Sequence, residues 1–338
     1  MKIIRTDAEI QTPVLDDALR SMGHELLLLE ENVTEVELQK EIADTDLLLM
    51  CYTPITRKII EAASRLKGIV KYGVGIDAID IGAASARNIV VVNVPEYAEE
   101  TVAEGAFTLM IALAKKLIPI DRQMQQHGWV WPESPWLGAD IAGKTVGLIG
   151  FGKIGKSMAR MAGSGFRARV IAYSPYNSAE EMSSWNVEKV DDLHALMQES
   201  DFVSIHCVLN PETHHLVGEP ELRAMKPGAF LINVSRGAIV DEDALTRVLN
   251  DGAIAGAGLD VFAREPLNKT DHPMASLFTH PSVILSPHLT FYTTEAMNRL
   301  EAETIERCDE LLRGQPVTIK SADNRLSGQG GLATYPQY

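Results

Sequence analysis

Residues 145–162, TVGLIGFGKIGKSMARMA, decide the fold. Thr145–Ile149 predicts a buried strand, Lys156–Ala162 predicts a helix, and the turn between them has G-x-G-x-x-G spacing, with Gly150, Gly152 and Gly155. In such a turn the first glycine permits the sharp bend, the second lets backbone approach a pyrophosphate, and the third lets helix and strand pack closely. The helix N-terminus then offers unpaired N–H groups to phosphate. We therefore predict a dinucleotide site; the alternative is a strand–helix turn that binds nothing.

The residue after the next strand bears on the choice of dinucleotide. In NAD-binding folds an acidic residue about 20 positions beyond the glycines hydrogen-bonds the ribose hydroxyls. Ser174 stands there instead, and no Arg or Lys lies between it and Glu181 to bind the 2′-phosphate of NADP. Glu180 and Glu181 would repel that phosphate. We expect NAD as the cofactor, with NADP as the alternative.

Short apolar runs alternate with helix-length stretches, which predicts an α/β protein with two doubly wound parallel sheets. Two long helical stretches, Glu99–Lys116 and Thr293–Arg313, bracket the second series of strands. We therefore expect a Rossmann domain at residues 99–291, inserted into a domain made of residues 1–98 and 292–338. Residues 321–338 would form an arm or a disordered tail. After a first strand in residues 1–7, the expected strands are Leu26–Leu29, Leu47–Met50, Gly68–Lys71, Val90–Val92, Thr145–Ile149, Val170–Tyr173, Phe202–Cys207, Phe230–Asn233, Ala255–Leu259 and Val283–Leu285.

The composition limits the classes of partner. The 338 residues carry a formal net charge of −15, which repels nucleic acid and anionic membranes. No apolar run reaches the ~18 residues that span a bilayer, and no charged-then-apolar signal precedes the first strand, so we expect a cytoplasmic protein. The three cysteines lie far apart without metal-ligand spacing, and no metal site is predicted.

Three further segments stand at or just beyond predicted strand ends, where open α/β sheets place their ligands. They read INVSRG (232–237), GLDVFAREP (258–266) and LSPHL (285–289). Together with the glycine turn, they resemble the D-isomer-specific 2-hydroxyacid dehydrogenase family over nearly the whole chain. The resemblance implies NAD(P)-dependent interconversion of a D-2-hydroxy acid and a 2-keto acid. It also implies that the domain around the Rossmann domain is a flavodoxin-like substrate domain.

The resemblance assigns catalysis to Arg236, Glu265 and His288, and the chemistry asks for these residue types. Hydride leaves carbon as a proton leaves oxygen, so a base with a pKa near working pH must contact the hydroxyl, as His288 would. A neighbouring carboxylate, here Glu265, stabilises the imidazolium and orients the ring. Arg236 offers a planar fork that binds the substrate carboxylate and polarises the keto oxygen. Taken singly, each of these residues is more often an ordinary surface or packing residue.

The resemblance also implies the binding residues. Backbone N–H groups of Val74 and Gly75 would bind the substrate carboxylate, and small glycines make that approach possible. Asp260 matches the position that holds the cofactor carboxamide. The other positions that match cofactor contacts are Thr101, Lys153, Ile154, Cys207, Val234 and Ser235.

Several positions leave two interpretations open. Tyr52 and Tyr72 fall on active-site loops by the same comparison, and they would form pocket walls or pack between the domains. Met50 takes the place of a phosphate-binding Arg of phosphoglycerate dehydrogenases, which weakens that assignment. Trp136 matches a Trp inserted from the partner subunit in glyoxylate/hydroxypyruvate reductases, with core packing as the alternative. Because family members are commonly dimers built on this segment, we expect a homodimer.

Two other functions share this scaffold. Formate dehydrogenases lack the Glu beside the His, so Glu265 argues against them. C-terminal binding proteins, corepressors that sense NADH and bind peptides, keep the Arg, Glu and His set. An NADH-sensing interaction module therefore stays open as the alternative to an enzyme, and the identity of the acid also stays open.

Overall fold

The computed structural model describes residues 1–30 and 32–335, and the chain divides into two units. One unit is Met1–Ala98 together with the segment from Thr293 onward, and the other is Glu99–Tyr292. The predicted boundary after residue 291 differs from this division by one residue. Within the described ranges, no helix combines the length and apolar character that crossing a membrane requires.

The elements alternate along both units. The strands are β1 (Lys2–Arg5), β2 (Glu25–Leu28), β3 (Leu47–Met50), β4 (Gly68–Lys71), β5 (Val90–Asn93), β6 (Thr145–Ile149), β7 (Arg169–Tyr173), β8 (Glu188–Lys189), β9 (Phe202–Ile205), β10 (Phe230–Asn233), β11 (Gly256–Leu259), β12 (Val283–Leu285), β13 (Val317–Thr318) and β14 (Ala333–Thr334). The α-helices are α1 (Pro13–Ser21), α2 (Glu35–Ile42), α3 (Arg57–Ala62), α4 (Ile81–Ala86), α5 (Glu99–Ala114), α6 (Leu117–His127), α7 (Lys153–Arg160), α8 (Ala179–Ser184), α9 (Leu193–Glu199), α10 (Glu219–Ala224), α11 (Glu242–Asn250) and α12 (Thr294–Arg313).

The first unit contains a five-stranded parallel sheet in the order β2-β1-β3-β4-β5, the flavodoxin-like order. All residues of β3, β4 and β5 are buried, as expected of strands covered on both faces. The ends of β3 and β4 lie side by side, since Met50 pairs with Lys71. Loops that follow these two strands are therefore neighbours.

The second unit contains a seven-stranded parallel sheet in the order β12-β11-β10-β9-β6-β7-β8. The order reverses between β6 and β9, which is the Rossmann arrangement and puts a ligand crevice at the carboxyl ends of these strands. Helix α5 covers one face, and its Leu109 and Leu113 pack where Gly258 of β11 has no side chain. The prediction of two doubly wound parallel sheets is confirmed.

The C-terminal arm, residues 321–335, is ordered against the first unit. The amide of Gln329 donates to the backbone oxygen of Val91 and accepts from its N–H, each at 2.8 Å, so it pairs with the edge strand β5 as a strand would. Leu326 is fully buried beneath this contact. Of the two interpretations of residues 321–338, the arm holds for 321–335, and the last three residues lie outside the described ranges.

Several differences from the predicted elements lie at the ends of helices and strands. The helix expected at Glu99–Lys116 ends at Ala114, because Lys116 has left-handed backbone (φ 51°) and α6 begins after it. Helix α6 was not predicted, since it buries no residue and therefore shows no core-facing stripe. The strand expected at Phe202–Cys207 ends at Ile205, and His206 and Cys207 belong to the following loop.

Candidate active site

The glycine turn is built as the sequence predicts. Gly150 has φ +99°, and a Cβ atom there would lie 2.6 Å from the backbone nitrogen of Cys207, so both conformation and space require glycine. A Cβ on Gly155 would lie 2.5 Å from the Gly150 oxygen. In contrast, no atom comes within 4 Å of a Cβ position on Gly152, and no side chain caps α7 there. Space and free N–H groups at a helix start fit a dinucleotide pyrophosphate.

Other predicted cofactor residues surround this turn or start the helices beside it. Lys153 and Ile154 are the first residues of α7, and the Lys153 ammonium lies 3.0 Å from the Glu99 carboxylate. Thr101 is buried on α5. Ser174 directly follows β7, whose last residue, Tyr173, accepts a hydrogen bond from the Gly150 N–H at 2.9 Å. The end of β7 is therefore held next to the glycine turn.

Cys207, Val234 and Ser235 follow the adjacent strands β9 and β10. The Ser235 hydroxyl donates to the Cys207 oxygen, which joins the two loops. Burial raises the pKa of the Cys207 thiol to about 12, so the thiol stays neutral. His206, beside it, has an imidazole whose pKa burial lowers to about 4. Both side chains are therefore uncharged at neutral pH.

The His288 imidazole and the Glu265 carboxylate form a pair. His288 Nδ1 lies 2.9 Å from Glu265 Oε2, and the other oxygen of Glu265 accepts from the Phe262 N–H at 2.9 Å. The carboxylate is thus held from both sides, one by backbone and one by the ring. This arrangement orients the imidazole ring.

Asp260 fixes the backbone that carries His288. The residue is fully buried, and its carboxylate accepts from the Leu289 N–H (3.0 Å), the Thr290 N–H (3.1 Å) and the Thr290 hydroxyl (2.6 Å). His288 itself has left-handed backbone (φ 56°), and its N–H donates to the Asp260 oxygen at 2.8 Å. A non-glycine residue persists in that conformation only where its surroundings hold it. This role of Asp260 toward the His288 backbone was not predicted; a carboxamide contact by Asp260 stays a prediction.

Arg236 lies on the neighbouring loop, after β10. Its guanidinium donates to the Ser235 oxygen at 2.7 Å. The following residue, Gly237, packs against the backbone of residues 262 and 263 so closely that a Cβ atom would lie 2.0 Å from the Phe262 carbonyl carbon. The loops that carry Arg236 and Glu265 are therefore in direct contact, on adjacent strands of one sheet.

Two residues outside the prediction hold these loops. Asn233, 1% exposed at the end of β10, donates to the Arg236 oxygen (3.0 Å) and accepts from the Ser235 N–H (3.1 Å). Glu242, the first residue of α11, accepts from the Ala263 N–H at 2.6 Å, and burial raises the pKa of its carboxyl group. Asn233 could have been found from the sequence, because it is a polar residue at the end of an otherwise apolar strand. No local sequence pattern indicated the role of Glu242.

In the first unit, the exposed Val74 and the partly buried Gly75 lie in a loop after β4. Asn93, buried at the end of β5, donates to the Val74 oxygen at 2.7 Å. Tyr72 is buried in this unit, with its hydroxyl donating to the Thr6 oxygen, and Tyr52 is 40% exposed with its ring 5.4 Å from the Lys71 ammonium. The Tyr72 hydroxyl is therefore bound within its own unit, and the two interpretations given for this residue stay predictions.

A dinucleotide turn and an acid-backed imidazole on the ligand-binding edge of one Rossmann sheet define a nicotinamide-dependent oxidoreductase. Comparison with known proteins gives the family. Residues 107–290 match the model of a protein family described as D-isomer specific 2-hydroxyacid dehydrogenase, NAD binding domain. The chain is 39% identical over 279 residues to a glyoxylate reductase of Korarchaeum cryptofilum, covering 82% of both chains.

Two solved structures are similar over nearly the full length. A D-lactate dehydrogenase from Aquifex aeolicus, complexed with NAD and lactic acid, has a TM-score of 0.83 at 28% identity and covers 92% of this chain and 96% of that one. An acyclic imino acid reductase in complex with NADPH and D-Arg has a TM-score of 0.81 at 31% identity, with 93% and 97% covered. The chain belongs to the D-isomer specific 2-hydroxyacid dehydrogenase family. It is an NAD-dependent 2-hydroxyacid oxidoreductase, for which NADP is a possible cofactor.

Proposed function

We propose that this protein interconverts a short 2-keto acid and the corresponding D-2-hydroxy acid, with His288 as acid and base. The observation that carries the proposal is the 2.9 Å contact between His288 Nδ1 and Glu265 Oε2 on the sheet edge that also carries the glycine turn. An imidazole backed by a carboxylate is suited to exchange a proton with a hydroxyl group near neutral pH.

In the reducing direction, His288 donates a proton to the keto oxygen as negative charge develops there. The nicotinamide cofactor, when bound, supplies the hydride that the keto carbon gains. Glu265 accepts the Nδ1–H of the ring, which leaves the opposite nitrogen as the proton carrier and stabilises the imidazolium before transfer. In the oxidising direction, His288 takes the proton back from the hydroxyl.

Arg236 is proposed to bind the substrate carboxylate and polarise the keto oxygen through its planar fork. The N–H groups of Val74 and Gly75 are proposed to bind the carboxylate, which gives the first unit the role of substrate domain. The residues proposed to contact the cofactor are Thr101, Gly150, Gly152, Lys153, Ile154, Gly155, Ser174, Cys207, Val234, Ser235 and Asp260.

Glyoxylate is the first substrate to test, because the glyoxylate reductase relative matches over 82% of both chains. Met50, at the end of β3, is fully buried and offers no charge to a phosphate. This supports an acid without a phosphorylated tail. Trp129 and Trp131 are 72% and 71% exposed, and an exposed apolar segment before β6 supports the proposed homodimer. Sedimentation of the purified protein as a monomer would remove the dimer from the proposal.

The decisive experiment measures NADH consumption with glyoxylate. We expect His288→Ala to lower kcat about 1000-fold, since a positioned general acid contributes 10²–10⁴-fold. Glu265→Gln should lower kcat less than His288→Ala does, because the ring stays in place but loses the carboxylate that orients it. The control is His194→Ala, which removes an exposed imidazole on α9 of the same unit. Near-normal turnover of His288→Ala would contradict the assignment.

The same assay separates the enzyme from an NADH-sensing interaction module. A module of that kind binds NADH but reduces no 2-keto acid at a useful rate. If NADH bound and a panel of 2-keto acids gave no turnover, the interaction module would replace the enzyme as the better proposal.

A further inference from the structure

A chain of hydrogen bonds leads from the end of β7 into α8. The hydroxyl of Ser174, 5% exposed, donates to Asn177 Oδ1 at 2.7 Å. Asn177 Nδ2 donates to Glu181 Oε2 at 3.0 Å. The other oxygen of Glu181 lies 2.8 Å from the Lys156 ammonium on α7. A neutral residue at the end of β7 is thus connected to a carboxylate seven positions further along the chain.

These hydrogen bonds lie at the end of β7, the part of a Rossmann fold that recognises the adenosine ribose. The Gly150 N–H donates to the Tyr173 oxygen, which sets the end of β7 beside the glycine turn. In other folds of this kind, a carboxylate directly after this strand accepts hydrogen bonds from the ribose hydroxyls. Ser174 cannot supply that charge, but Glu181 places one at the far end of the same hydrogen-bonded chain.

Lys156 is held where it neutralises Glu181. Its ammonium lies 5.9 Å from the centre of the Phe151 ring and 5.7 Å from that of the Trp185 ring. The hydrogen bond from Lys156, and then the one from Asn177, lowers the pKa of the Glu181 carboxyl, so the group is ionised at neutral pH. A cation suited to bind phosphate is therefore already occupied by a carboxylate.

We propose that Glu181, acting through Asn177 on Ser174, selects NAD over NADP. The ligand class is a nicotinamide dinucleotide with a free ribose 2′-hydroxyl, which Ser174 and Asn177 can hydrogen-bond without a change of charge. A 2′-phosphate brings about −1.5 to −2 charges and has to displace Glu181 from Lys156 before it gains a cation. The proposal rests on dinucleotide binding at the Gly150 turn and does not depend on the catalytic roles proposed above.

The test measures binding by isothermal titration calorimetry, with ADP-ribose and 2′-phospho-ADP-ribose as probes. For Glu181→Gln we expect affinity for the 2′-phosphorylated probe to rise about tenfold, since Lys156 is released from its carboxylate partner and can bind the phosphate. Affinity for ADP-ribose should change less than about twofold, because Ser174 and Asn177, its proposed hydrogen-bond partners, are both kept. The ratio of kcat/KM for NADPH to that for NADH should move in the same direction.

A matched control is available on the same helix. Glu180→Gln makes the same change of charge one residue away, at an exposed carboxylate, and should alter either affinity less than about twofold, as expected of a screened surface charge. The double variant Glu181→Gln/Lys156→Met should lose the gain of Glu181→Gln. Equal effects of Glu180→Gln and Glu181→Gln would overturn the proposal, and so would a gain that survives without Lys156.

The outcomes also separate this proposal from the proposed function. If ADP-ribose bound as expected but no 2-keto acid were reduced, only the catalytic proposal would fail. If neither probe bound to the unmodified protein, the dinucleotide site at the Gly150 turn would be wrong, and this inference would fall with it.

Discussion

Two loops proposed to bind substrate are held in contrasting ways. The loop of residues 288–290 is fixed by Asp260, a fully buried carboxylate with three donors from that loop. The loop of residues 73–77 is held by the Val94 N–H, which donates to the Gly73 oxygen at 3.1 Å, and by a hydrogen bond from the Asn93 side chain. At its end, Asp77 forms an ion pair with Arg325 of the C-terminal arm at 3.1 Å. Both loops follow strands of parallel sheets. The position of the first depends on a buried carboxylate, whereas the second has no buried charged group among these contacts.

The difference shows which contacts are costly to lose. A buried carboxylate with several N–H and O–H donors cannot be replaced by water, whereas an exposed ion pair exchanges readily with solvent. The loop that carries the proposed acid and base is therefore the more rigidly placed. The loop that offers only backbone N–H groups has the weaker support.

The largest effect is expected from Asp260→Asn. An amide keeps the size of the side chain but turns one acceptor into a donor, which would face an N–H group of Leu289 or Thr290. We expect kcat with glyoxylate to fall about 100-fold and the free energy of unfolding to fall by about 2–4 kcal/mol, since a buried donor is left unpaired. Steady-state kinetics and urea denaturation measure the two quantities.

Thr290→Val provides the graded comparison for Asp260. It removes the hydroxyl donor and leaves both N–H groups in place, so the losses should be smaller than those of Asp260→Asn. An Asp260→Asn protein with normal kcat would show that His288 does not depend on the buried carboxylate.

An intermediate effect is expected from Asn93→Ala. The variant removes the single side-chain bond to the Val74 oxygen, so the loop should lose order while His288 is unaffected. We expect KM for glyoxylate to rise about tenfold, kcat to change little, and stability to fall by about 1–2 kcal/mol. A fall in kcat with KM unchanged would contradict the contrast between the two loops.

The smallest effect is expected from Arg325→Gln. The side chains of Arg325, Asp77 and Asp323 are 39%, 27% and 21% exposed, and pairs that water reaches contribute about 0–1 kcal/mol. KM for glyoxylate should therefore change less than about threefold, and the change should disappear at high salt. A larger, salt-independent effect would mean that the arm positions the loop more strongly than its exposure suggests.

The parts of the fold that the sequence predicted are those whose local pattern leaves few structural choices. Strands β3, β4, β6, β10 and β12 have the predicted bounds, because short runs made mostly of apolar residues mark the strands of a parallel sheet. The glycine turn was predicted because each glycine answers to a separate steric need. Helix α6 escaped prediction because it has no buried face.

The residue types of the proposed site were predicted from the sequence, but the residues that hold its loops in place were not. Arg236, Glu265 and His288 were named from their motifs, and the structure puts the last two in contact. The roles of Asp260 toward the 288–290 loop and of Glu242 toward Ala263 depend on residues 21 to 30 positions apart meeting in three dimensions. Neither charge nor periodicity in a linear sequence encodes such meetings, so tertiary structure was needed to find them.

The Gln329 side chain has a consequence for how this protein is handled. By pairing with both polar backbone groups of Val91, it occupies hydrogen-bonding positions along the outer side of the last strand in its sheet. An uncovered strand of this kind is a template for pairing with another molecule. Truncation of the chain after Ile319 would expose the outer side of β5. On mild heating, the truncated protein should precipitate or form higher oligomers, whereas the intact chain should not.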